Sequence, residues 1–203
     1  MYVYNIRNID HVGLQKKKYF FDANLWLKIL KPPFNLSPRD KKYLSFFERF
    51  KTDLNHPKIV VPALLLSEVI NRYLRDVTYP IFCKKRGVTN PDKSYYKKVY
   101  RASAEFQSDY ISLCEDIKAY QNYFELVPDG LSTDIRQKDI LTSPPQNLDF
   151  NDNYYYNLAL KHGYTIVTDD EDFFVNGVEV FTYNNQLLER AKEKIEIKRP
   201  PEK

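Results

Sequence analysis

The sequence predicts an α/β fold built on a mostly parallel central sheet, and three observations carry that expectation. Short apolar runs at 19–21, 58–61, 124–127, 164–168 and 178–181 alternate with longer stretches of helical periodicity. Acids sit where such a fold ends its elements: Asp22 closes an apolar run, Asp152 opens a helical one and Asp170 lies just past a short strand. With 203 residues, 43% apolar and 29% charged, and no internal repeat, the chain can bury one domain over 1–203, with helices flanking the sheet on both sides.

Each element has a local reason. Tyr19-Phe20-Phe21 reads as a buried strand after three lysines, and 24–30 as a helix. Ser37-Pro38 is a cap followed by proline at the first helical position, starting a helix that runs to about Asn55. The strand at 58–61 stops at Pro62, and 63–76 reads as a helix that is apolar through Leu65, Leu66, Val69, Ile70 and Tyr73. Between 78 and 123 lysine, arginine and tyrosine accumulate, which predicts a helical insertion with one long helix over 91–123. Phe124 starts a strand ended by Pro128-Asp129-Gly130. After a loop holding Pro144-Pro145 come a helix over 151–162 stopped by Gly163, strands at 164–168 and 178–181, a helix over 184–194, and a frayed tail at 199–203.

Composition narrows the function classes. A net charge of +4 permits contact with a polyanion without requiring it. Cys83 and Cys114 stand far apart with no C-x-x-C pair, and His11, His56 and His162 belong to no ligand motif, which argues against zinc or a redox centre. His162 precedes Gly163 at a helix end, where its role is structural. The first residues lack a signal-peptide core and no stretch is long enough to span a bilayer, so the expectation is a soluble cytoplasmic protein with no membrane partner.

Asp22, Glu68, Asp152 and Asp170 are the candidate chemistry, because carboxylate oxygens at strand and helix ends are the ligands hard divalent ions prefer. Each also has an ordinary reading. Asp22 can cap a helix, Asp170 can form a turn, Glu68 can pair with Arg72 in solvent, and Asp149 can be the cap that leaves Asp152 a dipole-favoured acid. Helical phase puts Asp152 on a face with Tyr156, Ala159 and Gly163, expected to pack inward, where an unpaired carboxylate would be costly.

Taken in order, these pieces resemble the PIN-domain nucleases, including the toxin components of toxin-antitoxin pairs. Tyr19-Phe20-Phe21-Asp22-Ala23-Asn24 resembles the family's first strand with its D-x-[N/S/T] end, and 62–74, with Ser67, Glu68 and Asn71, its helix with the second acid. Asp152 opening a helix, Gly163 eleven residues on, and Thr165 to Phe173 with a strand ending T-x-D-x-D-F resemble its closing segment. The resemblance implies a three-layer PIN-like fold and a Mg²⁺- or Mn²⁺-dependent ribonuclease with Asp22, Glu68, Asp152 and Asp170 as metal ligands. It also implies RNA as substrate, and a protein antitoxin and a homodimer as partners to look for. Asn24, Asn71 and Thr168 are candidates to orient ligands or phosphate. Asp169 and Asp172 flank Asp170 and stay open as alternates for the fourth acid. The chain departs from the compact toxins in its enlarged central helices and an extra segment before the first strand.

Lys84, Lys85, Arg86, Lys93, Lys97, Lys98 and Arg101, interleaved with Tyr95, Tyr96 and Tyr100, read either as RNA contacts with stacking aromatics or as a solvated or partner-docking face. Two other classes are open. A PIN fold could bind RNA or act as a scaffold without turnover. An aspartyl-nucleophile phosphatase wants a second acid two residues after the first, where this chain has Asn24.

Overall fold

The computed structural model describes residues 2–9, 14, 17–32, 35–52, 58–129, 140–141 and 148–197. His11, His56, the Pro144-Pro145 loop, Gly130 and the tail at 199–203 lie outside them. Six parallel strands form one sheet: β1 (Tyr2–Asn5), β2 (Lys18–Phe21), β3 (Lys58–Pro62), β4 (Phe124–Val127), β5 (Thr165–Val167) and β6 (Glu179–Thr182). Their order across the sheet is β1-β6-β5-β2-β3-β4. Helices cover the sheet in a three-layer α/β arrangement. They are α1 (Ala23–Leu30), α2 (Pro38–Thr52), α3 (Ala63–Tyr73), α4 (Tyr79–Lys85), α5 (Lys93–Tyr95), α6 (Ala104–Lys118), α7 (Phe150–His162) and α8 (Asn185–Ile197).

The strand order fixes where a site can form. From β2 the chain moves outward through β3 to β4, then returns to lay β5 on the opposite side of β2. The carboxyl ends of β2 and β5 therefore flank the point where the winding reverses, the place at which open parallel sheets bind their ligands. Tyr19, Phe20 and Phe21 fill β2 and are buried on both sides of the sheet, with Phe21 against Phe50 on α2 and Phe20 against Tyr155 on α7. That packing holds the end of β2, and with it Asp22, in one position.

Several expectations need correction. The segment before β2 holds a strand, β1, paired with β6 from Tyr2 to Asn5, although Tyr2 and Tyr4 are exposed and no apolar run marks it. The stretch at 91–123 is two helical pieces. α5 continues through a π turn at Tyr96–Tyr100, the chain breaks at 101–103, and α6 starts where the Ser103 hydroxyl accepts from the Phe106 amide at 3.2 Å. α3 does not stop at Asp76. It widens into a π turn at Leu74–Thr78 and runs on as α4, because Pro80 cannot offer an amide to the Asp76 carbonyl one turn earlier.

α4, α5 and α6 form a lobe with its own small apolar centre. Phe82, Cys83 and Tyr100 are buried there, packed by Tyr79, Tyr95, Tyr96, Val99 and Phe106. No helix among the described residues is long and apolar enough to cross a membrane.

Candidate active site

Asp22 leaves β2 and caps α1. Its own amide still bonds the Val167 carbonyl at 3.0 Å, and its carboxylate accepts the Asn24 amide at 3.4 Å. The cap and the site are the same residue. Its other oxygen accepts the Thr168 hydroxyl at 2.9 Å and the Asn24 side-chain amide at 3.2 Å. With only 5% exposed, Asp22 is deeply buried, and burial pushes its carboxyl up to about 6, offset by the Thr168 hydrogen bond and raised again by Asp170.

Thr168 ties two acids together. Its hydroxyl donates to Asp22 and accepts the Asp170 amide at 2.9 Å, while Asp170 accepts the Asp172 amide at 2.9 Å in a tight turn. Asp152 reaches the same place from α7, where Asp149 is the cap and accepts the Asp152 amide at 3.0 Å. Burial first, then the charges of Asp149, Asp22, Asp170 and Glu68, push the Asp152 carboxyl up to about 8. Asp152 thus lies within electrostatic reach of Asp22, Asp170 and Glu68, and Asp22 within reach of Asp170. The inward face of α7 is aromatic rather than small. Tyr154, Tyr155, Leu158 and Ala159 are buried, whereas Tyr156 is half-buried and donates to the Asn176 carbonyl at 3.0 Å.

Glu68 stands in a different setting. One of its oxygens accepts from Tyr155 at 2.9 Å and from Asn151 at 3.1 Å, and the other faces Arg72 at 3.5 Å. The expected pairing with Arg72 is present, but the pair is part-buried. Arg72 also donates to the Asn24 side-chain oxygen at 2.9 Å, which leaves the Asn24 amide group facing Asp22. Arg72, Tyr155 and Asn151 thus join the site. Only the four-residue spacing of Glu68 and Arg72 on one helix hints at any of them in the sequence.

The alternates separate by their partners. Asp169 is an anchor, gripped by Lys28 at 2.8 Å and by Arg39, with Arg39 and Asn184 both donating to its carbonyl at 2.9 Å. Tyr43 holds the neighbouring Thr168 carbonyl at 3.0 Å. Asp170, in contrast, has no cation within ion-pair distance among the described residues, and neither have Asp22 and Asp152. Asn71 does not join the group: it is exposed and donates to Ser67 at 3.2 Å.

In the lobe Tyr100 is buried, and Tyr95 and Tyr96 are half-buried. Tyr95, Tyr96 and Tyr100 pack on Phe82, Tyr79 and one another. Arg86 pairs with Glu105 at 2.7 Å over the Phe82 ring, and Arg101 lies over Phe106. Lys84, Lys85, Lys97 and Lys98 are exposed. Lys84 follows Glu68 by sixteen residues along the continuous α3-α4 rod, about 24 Å at helical rise.

The donor set suits a hard divalent cation, being carboxylate oxygens with two carboxyls driven upward by burial and repulsion. Among the described residues no three His, Cys, Asp or Glu side chains form a ready-made ligand cluster, so capture of an ion by three of them requires side-chain rotation or bridging water. A profile of the PIN domain matches residues 19–179. The chain belongs to the PIN-domain family. PIN domains are generally nucleases, hydrolases that use divalent metal ions, and the match spans every acid described above. Among curated proteins none matches the chain in sequence.

Proposed function

We propose that this PIN domain is a metal-dependent endoribonuclease that hydrolyses RNA phosphodiester bonds at Asp22, Glu68, Asp152 and Asp170, with Mg²⁺ or Mn²⁺ as cofactor. One observation carries the reading: at the β2/β5 reversal point Asp22 and Asp170 meet at the Thr168 hydroxyl with Asp152 in electrostatic reach, none of them with a cation among the described residues, although the fold supplies cations to Glu68 and Asp169. Uncompensated buried charge is costly, and a bound cation removes that cost.

When bound, a divalent ion neutralises the scissile phosphate, acidifies the attacking water and stabilises the leaving oxygen. The protein's own residues hold and orient. Asp22, Asp152 and Asp170 present the oxygens, and Thr168 and Asn24 fix the rotamer of Asp22 through two hydrogen bonds. Glu68, anchored by Tyr155, Asn151 and Arg72, closes the α3 side, where the Arg72 guanidinium limits the repulsion a phosphate would meet.

The test is cleavage of a pool of cellular RNA with Mg²⁺ or Mn²⁺, with chelator, and with Asp152→Asn beside the wild type. Metal-dependent cleavage lost in the variant is expected. Binding of RNA without cleavage across divalent metals would replace this reading by the scaffold one. The toxin role implied by the resemblance adds a protein that covers the site, which co-purification from the native source would detect.

A further inference from the structure

We infer that the open groove beside the acids binds one nucleotide of a single-stranded RNA, next to the scissile phosphate, with its phosphate on Lys31 and its base against Leu27 and Val77. This rests on the ribonuclease reading above. The groove has a volume of about 550 Å³, within the size range of small-molecule sites, and it shares Asn24 and Asp170 with the acid cluster. A strand whose phosphate lies at the acids has this groove open to one neighbouring nucleotide.

Its walls are unequal in a way that orients a nucleotide. α1 contributes Leu27 and Lys28, its C-cap contributes Lys31, and the π turn after α3 contributes Val77. Lys28 is committed, held at 2.8 Å by both Asp40 and Asp169, so it offers the groove only its aliphatic stem. Lys31 is exposed and has no carboxylate partner among the described residues. It is the cation left for a phosphate. Leu27 and Val77 are half-buried apolar side chains, and apolar surface accepts the face of any base. Glu171, exposed and also lining the groove, repels a phosphate, which favours Lys31 as its partner.

The experiment compares wild type, Lys31→Glu, Val77→Arg and, as a control for net charge, Lys192→Glu on an exposed position of α8. Cleavage of a randomised single-stranded RNA pool is followed for kcat, KM and the sequence profile around the cut, and circular dichroism checks the fold. Lys31→Glu is expected to raise KM about tenfold, with the larger share of the loss in KM, and to lower the salt slope of binding by about 0.7. Val77→Arg blocks the base and flattens the profile at one position beside the cut. KM, salt slope and profile all equal to the Lys192→Glu control would overturn the inference, as a groove serving a protein partner would also produce. Should the wild type cleave no RNA, the ribonuclease reading fails on its own. Anisotropy of a labelled dinucleotide then decides the groove, where equal affinity for wild type and Lys31→Glu rejects it.

Discussion

The carboxyl end of the sheet and the helical lobe treat charge in opposite ways. In the lobe and the rod leading to it, acids meet partners: Glu105 pairs with Arg86 at 2.7 Å, Asp76 with Arg75 at 2.8 Å, and Asp109 accepts the Tyr100 hydroxyl at 2.7 Å. At the sheet end, Asp22, Asp152 and Asp170 converge with no cation among the described residues, although Lys28, Arg39 and Arg72 are all nearby. Proximity of cations is therefore not what the site lacks. Lys28 and Arg39 are spent on Asp169, which fixes the turn, and Arg72 on Glu68 and Asn24. The same turn carries one acid, Asp169, that is paired with cations and one, Asp170, that is not, and this separates the two more sharply than burial does.

The strongest way to break that contrast is Asp152→Asn. If the acids exist to hold an ion, cleavage should fall by more than about 10²-fold, beyond the 10–100-fold typical of residues that only orient a ligand. Without metal, the same variant should melt a few degrees higher at pH 8, because it removes one of the repelling charges. Loss of activity together with a lower melting temperature would make Asp152 a structural residue.

Protons test the contrast next. The carboxyls of Asp22 and Asp152 sit above their ordinary value of 3.8, at about 6 and about 8. The folded chain then keeps protons that the unfolded chain has released. This contribution to stability is present at low pH and is lost as pH rises through those folded values. A metal competes with the same protons. Its affinity should climb roughly tenfold per pH unit for each proton displaced, so the metal-induced rise in melting temperature should grow from about pH 6 to about pH 8. A metal-induced shift that is flat over this range would show that the ion binds elsewhere.

Parts of this were legible in the sequence because their causes are local. Tyr19-Phe20-Phe21 announces a buried strand, so Asp22 is legible as its end, and Asp149 and Gly163 mark both ends of α7. The partners of Asp169 were not legible, since Lys28 and Arg39 stand 141 and 130 residues away and only the fold brings them in. The direction of the lobe tyrosines was hidden for a different reason. Helical spacing of Tyr95, Tyr96 and Tyr100 is the same whether the rings meet bases or one another, and the direction is set by Phe82 and Tyr79 across the lobe. β1 was invisible because an exposed edge strand needs no apolar run.

Arg39→Gln sharpens the comparison on the anchored side. It takes away the contact to the Asp169 carboxylate and the 2.9 Å bond to its carbonyl, leaving Lys28, Asn184 and Tyr43 to hold the turn. Asp170 would then be less well placed, and kcat should drop by about tenfold. Arg39→Lys should restore little, since an ammonium cannot span the carboxylate and the carbonyl as a guanidinium does. A melting temperature that falls sharply while kcat holds would assign the network to stability alone.

The smallest effect belongs to the lobe, and it decides whether the two regions act on one substrate. Lys84, Lys85, Lys97 and Lys98 are exposed, and Lys84 stands about 24 Å from Glu68 along the α3-α4 rod. Charge this far away is beyond two Debye lengths at physiological salt, so it cannot tune the acids through solvent. It can hold only an RNA long enough to reach it. Changing Lys84 and Lys85 together to glutamate should therefore weaken cleavage of long RNA by a few-fold, through KM, and reduce its salt dependence. Cleavage of an oligonucleotide only a few residues long should stay as it was. Equal losses on short and long substrates would mean that the lobe acts on the site through the α3-α4 rod, with the region that pairs its charges coupled to the region that leaves them open.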